Sequence, residues 1–225
     1  LNHAVNMYGL KDNVARKAGT MGKEENKEME FWTQEEFQAF LECVVDKPIS
    51  YYAFEILYWT GIREGELLAL TPGDFNFEKK TLRINKSYQR LEGKDVITDP
   101  KTPKSNRTIV MPDFLAVERE DFISSLYGIR DDDRIFTISK SYLHHEMDRG
   151  AKLAGVKRIR IHGLRHSHIS LLINLGFSAL AIGERVGHEA VDITYHYAHL
   201  FPTVQTDMAA QLETEREALV NVRKE

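Results

Sequence analysis

From Phe75 to Pro112 the chain changes its hydrophobic period, and that change sets the architecture. The stretch FNFEKKTLRINKSYQRLEGKDVITDPKTPKSNRTIVMP alternates in short β-prone runs divided by charged or glycine-containing turns. On either side, apolar residues recur at helical spacing. A single β segment inside a helical chain predicts a mainly α fold with a small antiparallel three-stranded β-sheet, read here as a meander in an α+β arrangement.

The flanking helices carry their own boundaries. TQEEFQAFLECVV opens with Thr33 and Glu36 in capping-box spacing. SYYAFEILYWTG is a strongly apolar helix closed by Gly61, and IREGELLAL reads as the next one. Helices resume near Asp113 and continue to the end through SKSYLHHEMDRGAKLAG, HGLRHSHISLLINLG, SALAIGERVG and EAVDITYHYAH, each bounded by serine or glycine or both where those residues occur. Ahead of them, KAGTMGKEENKEME reads as a linker, and LNHAVNMYGLKDN as the last helix of something upstream. The expected organisation is therefore residues 1–30 as the tail of an upstream domain plus linker, 31–202 as the domain proper, and 203–225 as a C-terminal helical tail. Within that tail Met208, Leu212 and Leu219 form a narrow apolar stripe, too modest to hold a helix unless it docks.

With 225 residues the chain is long enough for one sizeable core. Its single cysteine, Cys43, excludes an internal disulfide, and neither a signal peptide nor an apolar run of membrane-spanning length is visible. The expectation is a cytosolic chain.

A net charge of −4 argues against a polyanionic partner until its distribution is examined. From Arg149 to His168 there are six Lys or Arg and no acid, and KTPKSNR from Lys101 to Arg107 adds three more. The acids gather in GKEENKEME, RDDDR and the C-terminal ETEREALVNVRKE. Such polarity predicts a polyanion-binding face, against the plainer alternative of a solvated basic surface.

Within the basic run, IHGLRHSHISLL concentrates three histidines and an arginine. Helical phase places Leu164, His168, Leu171 and Leu175 on one face, so His168 reads as a core histidine. His162, Arg165 and His166 fall on the other side. His162 and Arg165, at i and i+3, project from a first turn whose free N–H groups favour an anion, which makes a phosphate grip. Zinc binding through His162 and His166 fits poorly, because Gly163 stands where H-E-x-x-H has its glutamate and Arg165 sets a permanent cation beside the metal. A hydrolytic Ser167–His pair lacks both a G-x-S-x-G elbow and an orienting third group. Phosphoryl chemistry suits an arginine fork beside a histidine.

Three further stretches become interpretable together. TGIREGELLAL puts Arg63 at a helix entry with Glu66 three residues on, placed to orient it; TDPKTPKSNRTIVMP puts Lys101 in a hairpin turn; RVGHEAVDITYHYAHL sets His188 after a glycine and ends in two tyrosines. Taken singly, each has a structural explanation.

In order, TGIREGELLAL, PKTPKSNRTI, HGLRHS and GHEAVDITYHYAH resemble the tyrosine recombinase, or phage integrase, family, particularly integrases of phages and conjugative transposons. The resemblance spans about Phe31 to Pro202. It implies a site-specific recombinase that cleaves and rejoins DNA through a covalent 3′-phosphotyrosine, for integration or excision of a mobile element. By the same resemblance Arg63 and Arg165 are the catalytic arginines, Lys101 the acid, His162 the assisting base, His188 a phosphate hydrogen-bonder and Tyr197 the nucleophile. Tyr195 competes with Tyr197, but T-x-x-Y-x-H matches Thr194, Tyr197 and His199. The implied partners are double-stranded DNA, a second duplex held by a homotetramer, and accessory recombination factors, with the tail exchanged between protomers. No cofactor or metal is expected, since the sequence has no P-loop and no carboxylate cluster for magnesium. Type IB topoisomerases resemble the same catalytic set, and a DNA-binding module that no longer reacts is the alternative of a different class.

Overall fold

The computed structural model describes residues 2–18, 29–100, 105–188, 192, 197, 212–214 and 216. Two short helices, α1 (Asn2–Tyr8) and α2 (Val14–Ala18), come first, and α1 has no buried residue. The core begins at Trp32. Its backbone N–H donates to Ser167 Oγ at 2.8 Å and its indole N–H to the Lys157 carbonyl at 2.7 Å, fastening the start of the core to a segment more than a hundred residues away.

Helix α3 (Gln34–Glu42) starts at the expected capping box, with Thr33 and Glu36 each accepting the other's backbone N–H. Helix α4 (Pro48–Thr60) runs through the middle of the core, burying Ala53, Phe54, Ile56, Leu57 and Tyr58. Phe37 stacks on Tyr58 with ring centroids 3.7 Å apart. The chain then forms α5 (Glu64–Leu67), a 3₁₀ turn (Pro72–Asp74), and strands β1 (Phe75–Asn76), β2 (Thr81–Ile84), β3 (Ser87–Leu91), β4 (Lys94–Thr98) and β5 (Arg107–Val110). It closes with α6 (Asp113–Ser125), α7 (Lys140–Ala154), α8 (Ile161–Asn174) and α9 (Ala179–Val186). Ser139 and Ser178 cap α7 and α9 with their hydroxyls, and Gly155 and Gly187 end them in the left-handed conformation.

The mainly α fold with an antiparallel three-stranded sheet is present, but the sheet is not a meander. Its order is β1-β2-β5, and β3 and β4 pair only with each other as a separate hairpin. Alternation along the chain reports that residues are extended, not which runs pair. The break falls at Asn85–Lys86, where the Lys86 ammonium pairs with the buried Asp74 carboxylate at 2.5 Å and pins the crossover. Leu82, Ile84, Arg107 and Ile109 face inward from β2 and β5.

Helix α8 also departs from its expected single buried face. Leu164 and His168 are buried, Leu171 is half-buried and Leu175 is exposed, whereas Arg165, Ser167, Ile169, Ser170 and Ile173 are buried as well. Packed against α4, α7 and α9, it has no broad solvent face. The region expected as the helix EAVDITYHYAH, most of the tail, residues 19–28 of the linker and residues 101–104 lie outside the described residues; of the helix and tail only Asp192, Tyr197, residues 212–214 and Arg216 are described. Among the described residues no helix is long and apolar enough to cross a membrane.

Candidate active site

Two helix ends create the site. Helix α4 stops at Gly61 (φ 65°), a left-handed conformation that glycine adopts without strain; a Cβ there would also sit 2.6 Å from the His168 ring. The reversal delivers Arg63 to the start of α5. Helix α9 stops the same way at Gly187 (φ 72°) and delivers His188, whose N–H donates back to the Gly183 carbonyl at 2.9 Å.

Arg63 is fixed at both its backbone and its side chain by Glu66. Its N–H donates to Glu66 Oε2 at 2.8 Å and its Nη1 to Oε1 at 2.9 Å. Longer contacts run from Nη1 to Ser105 Oγ at 3.5 Å and from Nη2 to the Gly187 carbonyl at 3.3 Å. About a third of the side chain, 35%, remains exposed. Glu66, the residue expected to orient Arg63, is the acceptor of both short bonds.

Arg165 is held quite differently. It is 1% exposed, and its guanidinium donates to the Gly61 carbonyl at 2.6 Å and the Val186 carbonyl at 2.5 Å, one at each of the two helix ends. Its Nε is buried without a hydrogen-bond partner. Burial, then the charges of Arg63 and Arg107, pull its pKa down to about 9. One cation thus ties the Arg63 turn to the His188 turn while no carboxylate among the described residues hydrogen-bonds it.

The two histidines on this wall are kept neutral. His188 is half-buried, and desolvation with the cations Arg165 and Arg63 lowers its pKa to about 3. His162 reaches solvent, yet crowding by the protein and the same two arginines still pull it below the usual histidine value. At neutral pH both imidazoles have a free acceptor nitrogen and an N–H donor.

Tyr197 is 2% exposed and packs with Ile169, Ile173, Ile182 and Val186 in a small cluster between α8 and α9. Its hydroxyl hydrogen-bonds His166 Nδ1, and burial raises its pKa above the ordinary tyrosine value despite the charge of Arg165. The His166 and His162 rings meet edge to face, 4.8 Å between centroids. The ring in contact with the expected nucleophile is therefore His166, one turn beyond the expected base. Lys101, Thr194, Tyr195 and His199 lie outside the described residues.

Beside this wall opens a cleft of about 860 Å³, lined among others by Arg63, Lys86, Arg90, Lys140, Arg160 and His162. Not all of the basic run faces it. Arg149 pairs with Asp46 and Glu146, and Arg158 with Asp148, so part of that positive charge is neutralised within the protein. Among the described residues no group of three or more His, Cys, Asp and Glu side chains is arranged to hold a metal ion.

Two residues given no role in the sequence reading belong here. Helical phase puts His166 on the polar face of α8 with no role beyond the poorly fitting zinc pair. Arg107 is 9% exposed and grips Glu66 with two nitrogens; an arginine at an inward position of an alternating strand, beside inward Ile109, is the signal that it must have a buried partner.

Residues 30–203 match the model of the phage integrase family. The ICEBs1 integrase of Bacillus subtilis (strain 168) is 32% identical over 217 residues, covering 90% of this chain and 58% of the relative. The integrase of Staphylococcus phage L54a is 30% identical over 179 residues, covering 72% and 51% respectively. The chain thus spans little more than half the length of these relatives. In fold it is similar to the Tn1549 transposon integrase solved in complex with a circular intermediate DNA, with a TM-score of 0.69 at 22% identity over 87% of this chain and 68% of that one. It is likewise similar to the XerH site-specific recombinase bound to its difH substrate, with a TM-score of 0.60 at 22% identity, covering 82% and 55%. A family model that covers most of the chain settles the kinship: this chain belongs to the phage integrase family.

Proposed function

We propose that residues 31–202 form the strand-cleaving domain of a site-specific DNA recombinase serving a mobile element, with 1–30 as the tail of an upstream core-binding domain plus linker. The observation behind this reading is the convergence of Arg63, Arg165, His162 and His188, spread over 126 positions of sequence, on two adjoining helix ends beside one basic cleft. A family relative and fold neighbours named as integrases and recombinases support it.

In the proposed reaction the Tyr197 oxygen attacks a phosphorus of the DNA backbone. A Tyr–O–P bond forms, the P–O5′ bond breaks, and a 3′-phosphotyrosine and a free 5′-hydroxyl result. The negative charge that grows on the non-bridging oxygens is met by Arg63 and Arg165. His188, neutral, donates a hydrogen bond to one of those oxygens. The tyrosine proton passes to the neutral His162 and the departing 5′ oxygen takes a proton from Lys101. Attack of another strand's 5′-hydroxyl reverses the step and rejoins the DNA. The phosphodiester bond energy is retained throughout, so neither ATP nor metal is consumed.

The Tyr197 hydroxyl is buried and hydrogen-bonded to His166, which supports a further part of the reading. Recombination by a homotetramer on two duplexes, with accessory recombination factors, requires cleavage to wait for assembly. The tail 203–225, beginning six positions after Tyr197, stands close enough in sequence to report a neighbour's arrival.

A nicked suicide duplex tests the proposal, its site selected from a randomised duplex library by covalent capture. The wild-type chain and Tyr195→Phe form a protein–DNA adduct, while Tyr197→Phe binds DNA and forms none. Absence of any adduct from the wild type refutes cleavage, and resealing without exchange between two duplexes points to a topoisomerase instead. Deleting residues after Pro202 should weaken higher-order complexes on a band-shift gel while the monomer still folds.

A further inference from the structure

Arg107 touches neither the cleft nor the expected nucleophile, yet every nitrogen of its guanidinium is engaged. Nη1 donates to Glu66 Oε1 at 3.1 Å and to the Ser105 carbonyl at 3.0 Å, Nη2 to Glu66 Oε2 at 2.9 Å, and Nε to the Arg185 carbonyl at 2.9 Å. Glu66, 5% exposed, therefore accepts four bonds, two from Arg107 and two from Arg63. Such a carboxylate is saturated.

We propose that Arg107 is a positioning residue for Arg63: by gripping Glu66 bidentately from β5, it leaves Arg63 a single side-chain bond to that carboxylate and keeps the remaining guanidinium nitrogens for the substrate phosphate. Without Arg107, a buried carboxylate with two empty acceptor positions draws in the nearest mobile donors. Those donors belong to Arg63. Its contacts to Ser105 Oγ and the Gly187 carbonyl, 3.5 and 3.3 Å, are the long and weak ones, so the fork rotates from the cleft onto Glu66. The Arg185 carbonyl that Arg107 also holds anchors the clamp to the interior, because Arg185 in turn donates to His168 Nε2 at 3.0 Å and to the Trp59 carbonyl at 3.2 Å.

The inference rests on Arg63 acting as a phosphate clamp, and it has a titration signature. The charges facing Glu66 are Arg63 on its own helix, Arg107 on β5 and, at longer range, Arg165 on α8. Burial pushes the Glu66 carboxyl up, but the hydrogen bonds and charge of Arg107, followed by those of Arg63, hold it below the usual carboxylate value. Removing Arg107 raises that value, so Glu66 protonates, and Arg63 loses its anchor, at a higher pH.

The test is single-turnover adduct formation on the selected suicide duplex by wild type, Arg107→Gln, Arg63→Lys and the double variant. Arg107→Gln should slow the step by about 100-fold, the scale of losing one oriented oxyanion donor, with DNA affinity changed by less than about threefold. Its acid limb should move to higher pH. In the Arg63→Lys background the same change should cost less than about threefold, because the residue through which it acts is already gone. Arg107→Lys keeps the charge but not the two-pronged grip, and should fall between, again without adding to Arg63→Lys; it decides the matter if the glutamine variant fails to fold. Effects that multiply, or an unmoved acid limb, overturn the positioning role. Failure of the wild type to form adducts overturns the recombinase reading instead.

Discussion

Arg119 and Arg165 are both fully buried, at 0% and 1% exposure, and each has an Nε without a partner. Arg119 is met by carboxylates: Glu55 at 2.5 Å and Glu118 at 2.9 Å, with the Tyr52 ring beneath it, 4.2 Å from centroid to Cζ. Among the described residues Arg165 is met only by backbone carbonyls. A carboxylate cancels a buried cation and makes it a structural part. Carbonyl dipoles hold the cation in place and leave its net charge uncancelled, ready for an anion that arrives later. Burial of an arginine therefore says little about its purpose; the identity of its partners says a great deal.

The contrast is sharpest if the two residues fail in different assays. Arg165→Lys keeps the charge and loses the two-pronged reach, and should lower single-turnover cleavage by about 10²–10³-fold while the melting temperature stays near wild type. A variant that cleaves normally breaks the comparison. Arg119→Met should do the reverse, costing roughly 3 kcal/mol of unfolding free energy by leaving Glu55 buried and unpaired, with cleavage per folded molecule unchanged; urea titration and adduct assays measured together check both halves. Gly61→Ala should register in each assay. The left-handed backbone and the contact with His168 cost roughly 2 kcal/mol, and displacement of the Gly61 carbonyl loosens Arg165, so cleavage and stability fall together.

The smallest effect is on pH dependence. Burial, then the charge of Arg185, lowers the His168 pKa to about 3, against 6.5 for an ordinary histidine. The unfolded chain binds this proton first as pH falls, so stability is lost from about pH 6.5 downward toward 3 and is flat above that range. Between pH 7 and 6 the loss from this ring is roughly 0.7 kcal/mol. His168→Gln should flatten that slope, and an unchanged slope would assign it to His188.

Local signals were legible wherever a few neighbouring residues decide the outcome. Thr33 with Glu36, Gly61, Ser139 and Ser178 mark helix ends through caps that involve one turn of chain. The candidate site residues Arg63, His162, Arg165 and His188 could be singled out because they stand in short motifs. What failed depended on distant partners. The separation of β3–β4 from the sheet depends on Lys86 reaching Asp74, and the burial of Arg165 on carbonyls 104 and 21 positions away. Helical phase gives α8 one apolar side, but a helix enclosed by three others buries its polar residues too, provided that each finds a partner. Helical phase alone marks His168 as a core histidine, and it is buried, with Arg185 of the adjoining helix donating to its ring.

The uncompensated charge of Arg165 also makes the folded state a ligand-linked quantity. An anion that binds between Arg165 and Arg63 binds the native chain and not the unfolded one, so it adds stability by mass action, about 2.7 kcal/mol at a hundred times its dissociation constant. If the proposed phosphodiester is that anion, part of the domain's resistance to unfolding is supplied by it, and melting with and without the selected duplex measures how much.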